Sequence, residues 1–338
     1  MIMKRFALTL ILSAGALWTA PVPAAEPVQL KFGNPGAPKG HVSVKIIQPF
    51  AEQMTKDSNG TVEFKLYSGP ALGTFPVIYD RIINGVADLS FGLLGPISSQ
   101  FPKTQVASLP FETPNGTTGT LAMSRMLTSG AIADEWQRVK PLVIMVFPSA
   151  VIHAHKPIKA LSDVQGLKFS VQSRLLAECI EKLGGAPITL AVTDLYQALQ
   201  RGTVDAATIG WPATASYKLA EVSNYHLAVP VGGEVTYIAM NKDSYAKLPA
   251  AGRAAVDKNI GDHFAKHVGE ILDEVDEEES AKTRAMPGQT LAKLSPDEEA
   301  RWKARVAPVT EAWAKSTPDG AKVLAAYRAE IAKIAKGQ

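Results

Sequence analysis

The stretch from Asp163 to Pro212 alternates short apolar runs with helix-patterned segments, and this alternation restricts the fold of the 338-residue chain more than any other feature. Residues 167–171 are short and apolar, as a strand requires. Leu175, Leu176, Cys179, Ile180 and Leu183 recur at helical spacing. Gly184-Gly185 ends that helix, because glycine takes the left-handed cap conformation cheaply. Residues 188–192 read as a second strand. Thr193 is suited to N-cap a helix over 194–201, which Gly202 closes, and residues 204–209 read as a third strand. Strands alternating with helices predict a parallel sheet, with ligands held where strand ends meet helix starts.

The rest of the chain follows the same grammar. Residues 30–34 read as a strand, 35–40 as a turn-rich loop, 42–57 as an amphipathic helix and 62–67 as a strand after the Asn59-Gly60 turn. Pro76 opens a helix whose apolar side is Tyr79, Ile82 and Ile83, and residues 87–93 form the next strand. Helices are expected over 120–127 and 131–139, and a buried strand over 142–147. Residues 147–157 then cross into a second lobe. A helix near 214–222 and strands over 227–231 and 236–241 follow, the second returning to the first lobe. A long helix over 250–284, continuous or broken, precedes a short strand at 291–294. Ser295 caps a helix with Pro296 in its first turn, and the remainder is helical. No internal repeat or low-complexity linker occurs, so several crossing strands, not one tether, should join the lobes.

Composition narrows the function. Lys4 and Arg5 precede an apolar run, residues 6–18, too short to span a bilayer, with small residues at Ala24 and Ala25. Residues 1–25 are therefore expected to be a signal peptide that directs export. Removing Lys4 and Arg5 takes the net charge from +3 to +1, which leaves no basic excess for nucleic acid and no polybasic membrane face. Cys179 is the only cysteine, so no intramolecular disulfide can form, and its place on an apolar helix face marks a buried hydrophobe. Catalytic signatures such as G-x-S-x-G, H-E-x-x-H, C-x-x-C and the Walker loop are missing. His153 with His155, and His263 with His267, are spaced like zinc ligands but lack an evident third ligand. Solvated or hydrogen-bonded histidines are the simpler reading, as a solvated face is for the acidic run 270–279. The expectation is a binding protein with no catalytic residue, metal or cofactor.

"DVQGLKFSV", "LGGAPITLAVTDLYQALQRGTVDA" and the earlier "LPF" resemble the solute-binding proteins of tripartite ATP-independent periplasmic (TRAP) transporters, the DctP-like family. The family pattern is roughly D-x-x-G-L-K-I-R-V, then L-G-x-x-P, then Y-x-A-L-Q-x-G-x-V-D-G-Q-E-N-P, and the likeness runs from about Leu30 to about Ala326. The resemblance implies a two-lobed periplasmic binding protein of the α/β class, with a mixed sheet in each lobe, hinge strands and long C-terminal helices. Residues 26–147 with about 234–272 would form the first lobe. Residues 148–233 with about 273–338 would form the second, including the C-terminal helices. It further implies a monomer that closes on a small organic molecule and delivers it to TRAP membrane permease subunits, without inserting into the membrane itself.

One departure from the family pattern bears on the ligand. The arginine that clamps a substrate carboxylate in the family falls at Ser170, and a second substrate-contacting arginine falls at Ala150. The family's glutamine and asparagine fall near Ala207 and Ile209. Arg174, four residues on at a helix start, is the candidate replacement, with Ser170, Gln172 and Ser173 as hydrogen-bond partners. The loop after Asn34 should line one wall, and Leu93 ends a strand where the family often has a polar residue. Phe75, Phe91, Phe147, Trp211 and Tyr237 are the aromatic candidates, Trp211 foremost because it follows the strand whose end meets the ligand. This set predicts a carboxylate or a more apolar, aromatic ligand, not a simple dicarboxylate. The alternatives are a binding protein of an ATP-driven importer, an exported sensor, and an enzyme on the same scaffold.

Overall fold

The computed structural model describes residues 26–338, and the expected signal peptide lies outside the described residues. In chain order the strands are β1 (Val28–Asn34), β2 (Val62–Ser68), β3 (Leu89–Leu93), β4 (Lys140–Val146), β5 (Val151–Ala154), β6 (Lys168–Val171), β7 (Ala186–Thr189), β8 (Ala206–Ile209), β9 (Tyr225–Ala228), β10 (Val235–Met240) and β11 (Thr290–Lys293). The helices are α1 (Gln48–Asp57), α2 (Ile78–Ile83), α3 (Gly116–Thr128), α4 (Arg174–Leu183), α5 (Leu195–Gln200), α6 (Trp211–Ser216), α7 (Lys242–Lys247), α8 (Ala250–Lys258), α9 (Asp262–Ala285), α10 (Pro296–Ser316) and α11 (Gly320–Ala335).

The strands form two mixed sheets, ordered β2-β1-β3-β10-β4 and β11-β9-β5-β8-β6-β7, which is the expected two-lobed α/β architecture. β1 runs parallel to β2 and β3. β6 runs parallel to β7 and β8, as the alternation across Asp163–Pro212 predicts. β10 runs antiparallel between β3 and β4, and β5 antiparallel between β8 and β9. These antiparallel strands enter their sheets directly from the other lobe, with no crossover helix to return the chain in the same sense.

Local chemistry explains most boundaries. Ser173 Oγ accepts from the Leu176 N–H at 3.3 Å to start α4, and Gly184 ends it at φ 99°. The helix expected over 42–57 is split. A π-helical turn, Val42–Ile47, leads into α1, where Pro49 has no N–H to offer a regular ladder. The expected helix over 131–139 is only a 3₁₀ turn, Ala133–Trp136, because buried Ile132, Trp136 and Val139 pin it to the core. The long helix over 250–284 breaks before α9, with Gly261 at φ 90°. The expected cap at Thr193 falls inside a 3₁₀ turn, Val192–Asp194, ahead of α5.

Alternation sorts the core. Ile238 packs with Phe32, Phe50 and Met54 on one face of the first sheet, while its neighbour Tyr237 packs with Tyr79 and Trp136 on the other. Phe169, Ile180 and Trp302 fill the second lobe. α9 lies against α3 and β4 of the first lobe and against α6 and β11 of the second. α10 packs on α4, but α11 packs on α3, and its Val323, Leu324 and Tyr327 belong to the first-lobe core. No helix among the described residues is long and apolar enough to cross a membrane.

The α3–α9 crossing depends on Gly269, where an added Cβ would stand 2.5 Å from Thr117 Cα. Gly269→Val should therefore force the helices apart, cost about 1–3 kcal/mol and lower the calorimetric unfolding midpoint by several degrees. An unchanged midpoint would contradict this packing.

Candidate functional site

The chain passes between the sheets after β4 and again before β10, and these two passages run side by side. Phe147 N–H donates to Glu234 O at 3.0 Å and Ala150 N–H donates to Gly232 O at 2.8 Å. Above them, at the carboxyl ends of β1, β3, β6 and β8, lies a crevice of about 980 Å³, including space open to solvent. Ligands sit at such strand ends in α/β sheets.

The first-lobe wall is built by Asn34 at the end of β1, the loop through Gly40 to Ser43, Phe75, and Phe91 and Leu93 of β3. Phe75 meets Phe91 edge to face, with ring centroids 5.8 Å apart. The second-lobe wall is Gln172, Ser173 and Leu176 around the start of α4, Thr208 and Ile209 at the end of β8, and Pro212, Ala213 and Ser216 on one face of α6. Phe147 and Glu234 form the floor between them. Three buried polar groups on these walls, Asn34 Nδ2, Gln172 Nε2 and Thr208 Oγ1, have no protein partner. Buried polar atoms are usually paired, although Gln105, Ser170, Thr236, Tyr237, Asp276 and Trp302 also carry an unpartnered one away from the crevice.

Asn34, Phe75, Leu93, Phe147 and Gln172 thus stand on the crevice, as does Phe91. Four other candidates do not. Arg174 is 85% exposed and pairs with Glu178 at 2.8 Å, so its guanidinium is turned to solvent one turn along α4. Ser170 is fully buried between β7 and β8, with Ile188 and Ala207 as register partners. Trp211 shares the inner face of α6 with Thr214 and packs on His153 and His226, because the helical turn that brings Pro212 and Ala213 to the crevice carries it to the back. Tyr237 lies in the core beside Tyr79 and Trp136, covering Gly92, where an added Cβ would meet its hydroxyl at 2.2 Å. Glu234, Thr208 and His41 were not anticipated. The one usable signal was Glu234 itself, a lone acid in the otherwise uncharged run 227–241.

Electrostatics set this crevice apart. Its lining holds no lysine or arginine. Burial pushes the Glu234 carboxyl up to about 7, only partly offset by the Gly95 N–H, which it accepts at 3.1 Å. His41 is pulled below its ordinary value, chiefly by burial, despite Glu279 at 3.4 Å.

Behind the second-lobe wall, His153 Nδ1 lies 2.7 Å from His226 Nδ1, and the other His153 nitrogen is 2.9 Å from Thr214 Oγ1. One of the two Nδ1 atoms must carry the proton between them. His155, the sequence partner of His153, lies on the exposed surface, as do His263 and His267. No group of three or more metal-capable side chains forms among the described residues.

Two lobes, two hydrogen-bonded crossings and a crevice at the strand ends define a solute-binding protein of the clamshell kind. The profile of the bacterial extracellular solute-binding protein family 7, the DctP family, matches residues 34–316, and the chain belongs to that family. A C4-dicarboxylate-binding periplasmic protein of Rhodobacter capsulatus is 26% identical across 97% of this chain and 96% of its own. A solute-binding protein of Chromohalobacter salexigens is 27% identical over 65% of this chain and 66% of its own. A TRAP solute-binding protein of Rhodoferax ferrireducens T118, solved in complex with copurified benzoate, superposes with a TM-score of 0.87 at 28% identity, covering 91% of this chain and 99% of that one. This chain is accordingly a TRAP periplasmic solute-binding protein, and its family is one of binders, not enzymes. The ATP-driven importer alternative is set aside.

Two outcomes follow from the geometry. At Gly95, an added Cβ would lie 2.5 Å from the Gln172 carbonyl oxygen across the crevice. Gly95→Ala should hold the lobes apart, seen as a larger radius of gyration in solution scattering with ligand present and at least tenfold weaker binding. A variant of unchanged size and affinity would refute the contact.

The second concerns the histidine pair. Burial first, and His226 second, hold His153 down at about 3, and burial lowers His226 as well. Such groups take up protons mainly on unfolding. The contribution of His153 is complete above pH about 6.5 and is lost as pH falls toward the folded value, by about 1.4 kcal/mol per pH unit, with His226 acting in the same direction. The denaturation midpoint should fall between pH 6.5 and 4.5, and less steeply in His153→Gln. Equal slopes would show that the pair is not held neutral.

Proposed function

We propose that the crevice captures a small organic acid with an aromatic body, and that the protein hands it unaltered to the membrane permease subunits of a TRAP transporter. Export by residues 1–25 and a monomeric state belong to the same reading. The observation that carries it is the wall itself. Phe75, Phe91, Leu93, Phe147, Leu176 and Val192 present apolar surface, and no lysine or arginine stands among them. A flat ring gains about 25 cal/mol per Å² of apolar surface buried there, plus edge-to-face contact with phenylalanine. A short diacid would bring two charges and little to bury. The benzoate-bound Rhodoferax ferrireducens relative supports the aromatic choice, and the name of the Rhodobacter capsulatus relative supports carboxylates in general.

Benzoate, mandelate and hydroxybenzoates should raise the thermal midpoint by several degrees at millimolar concentration, as ligands that bind only the folded state do. Succinate should not. Phe91→Ala should weaken the best aromatic ligand about tenfold or more. A panel in which succinate gave the largest shift, or in which Phe91→Ala left affinity unchanged, would overturn the proposal.

A further inference from the structure

The crevice holds one carboxyl group and no permanent cation. Glu234 enters it from the floor, at the point where the second crossing segment joins β10, and is fixed by the Gly95 N–H at 3.1 Å. The other titratable and polar groups that line the crevice come from both lobes. His41, from the loop after β1, has its proton affinity lowered chiefly by burial, with Glu279, Lys282, Lys45 and Glu278 around it. Tyr217, just past α6, bonds to the backbone at Ala37, and burial raises its hydroxyl. Gln172 and Thr208 from the second lobe and Asn34 from the first contribute uncharged groups. Arg174 is turned to solvent with Glu178. No neighbouring charge contributes to the raised proton affinity of Glu234, whose causes are burial and, in opposition, the Gly95 N–H.

A carboxylate ligand entering this space meets a second carboxyl group with no counter-ion between them. Two ionised carboxylates in apolar surroundings repel and lose hydration together. One proton between them leaves a single negative charge spread over two groups, joined by a short, charge-assisted O–H···O bond. The three unpartnered groups, Asn34 Nδ2, Gln172 Nε2 and Thr208 Oγ1, supply donors for the remaining oxygen lone pairs. The two amide nitrogens can only donate, and the Thr208 hydroxyl can donate as well as accept.

We propose that Glu234 is the specificity-determining residue of the crevice and takes up one proton when an aromatic monocarboxylate binds, so that solute capture is coupled to proton uptake. The balance is simple. Ionised Glu234, one proton from solvent and the ligand anion combine into a complex of charge −1, and no bond to carbon forms or breaks. The coupling rests on the aromatic-acid reading of the site. It also predicts weak binding of diacids, whose second carboxylate would need a cation that the wall lacks.

Isothermal titration with benzoate tests it, run from pH 5.5 to 8.5 and, near pH 8, in two buffers of different ionisation enthalpy. The wild-type protein should take up close to one proton per benzoate at pH 8. Its affinity should be flat below pH 7 and fall about tenfold per pH unit above it. Glu234→Gln keeps an acceptor for Gly95 and a fixed donor for the ligand. It should bind benzoate without proton uptake, independently of pH, and more tightly than the wild type at pH 8.5. Benzoate binding to the wild type that is proton-free and flat in pH would overturn the coupling and leave the aromatic reading standing. So would benzamide binding as tightly as benzoate at pH 6. If neither benzoate nor benzamide bound at any pH, the aromatic reading would fail and the coupling with it.

Discussion

Two backbone hydrogen bonds, Phe147 to Glu234 and Ala150 to Gly232, tie the outgoing and returning passages of the chain into one narrow ribbon between the lobes. The rest of the geometry depends on that ribbon. It makes β5 and β10 antiparallel to their neighbours and turns the carboxyl ends of the parallel strands toward one shared space. It also makes glycine obligatory. A Cβ at Gly233 would stand 2.8 Å from Phe147 O, and Gly232 combines φ 118° with a contact 2.5 Å from Ser108 O. The same ribbon delivers Glu234 to the floor of the crevice, so the one acid of the site is placed by the joint and not by either lobe.

The balance inside the crevice follows from what surrounds that acid. In water a carboxylate keeps its charge at low cost. Among phenylalanines and aliphatic side chains it keeps it only with a partner, and only the Gly95 N–H is fixed there. The polar groups of opposite lobes, Asn34 from the first and Gln172 and Thr208 from the second, are neutral donors with spare capacity. Affinity built from neutral donors and ring contacts avoids the desolvation of a guanidinium, which costs several kcal/mol per buried ion. Ser170 stands where the family pattern has an arginine, and no lysine or arginine lines the crevice.

The fold was legible in the sequence because it is written in periodicity. The alternation across 163–212 gave three strands and two helices whose boundaries moved by only a few residues, and Gly184 and Ser295 marked helix ends by local chemistry alone. What local chemistry does not encode was missed. The short turn around Trp136 is decided by packing against Phe101 and Tyr237, which are distant in sequence. The site was half legible. Asn34, Phe75, Leu93, Phe147 and Gln172 sit at strand ends or in loops, where position follows from topology. Trp211 and Tyr237 failed because the rotation of a helix and the face of a strand decide between wall and core. Arg174 failed because an adjacent Glu178 at helical spacing offers its guanidinium a partner in solvent.

Helix α9 has a mechanical consequence. Its 24 residues span about 36 Å at 1.5 Å per residue. One flank is seated on α3 through Gly269, the other on α6 and β11. A rod fixed to both halves of a hinge does not let them swivel freely, so any opening must flex the rod or slide one of its seats. The stiffness of that beam, and not only the floppiness of the joint, then sets how wide the jaws gape and how much of the solute's binding energy goes into shutting them.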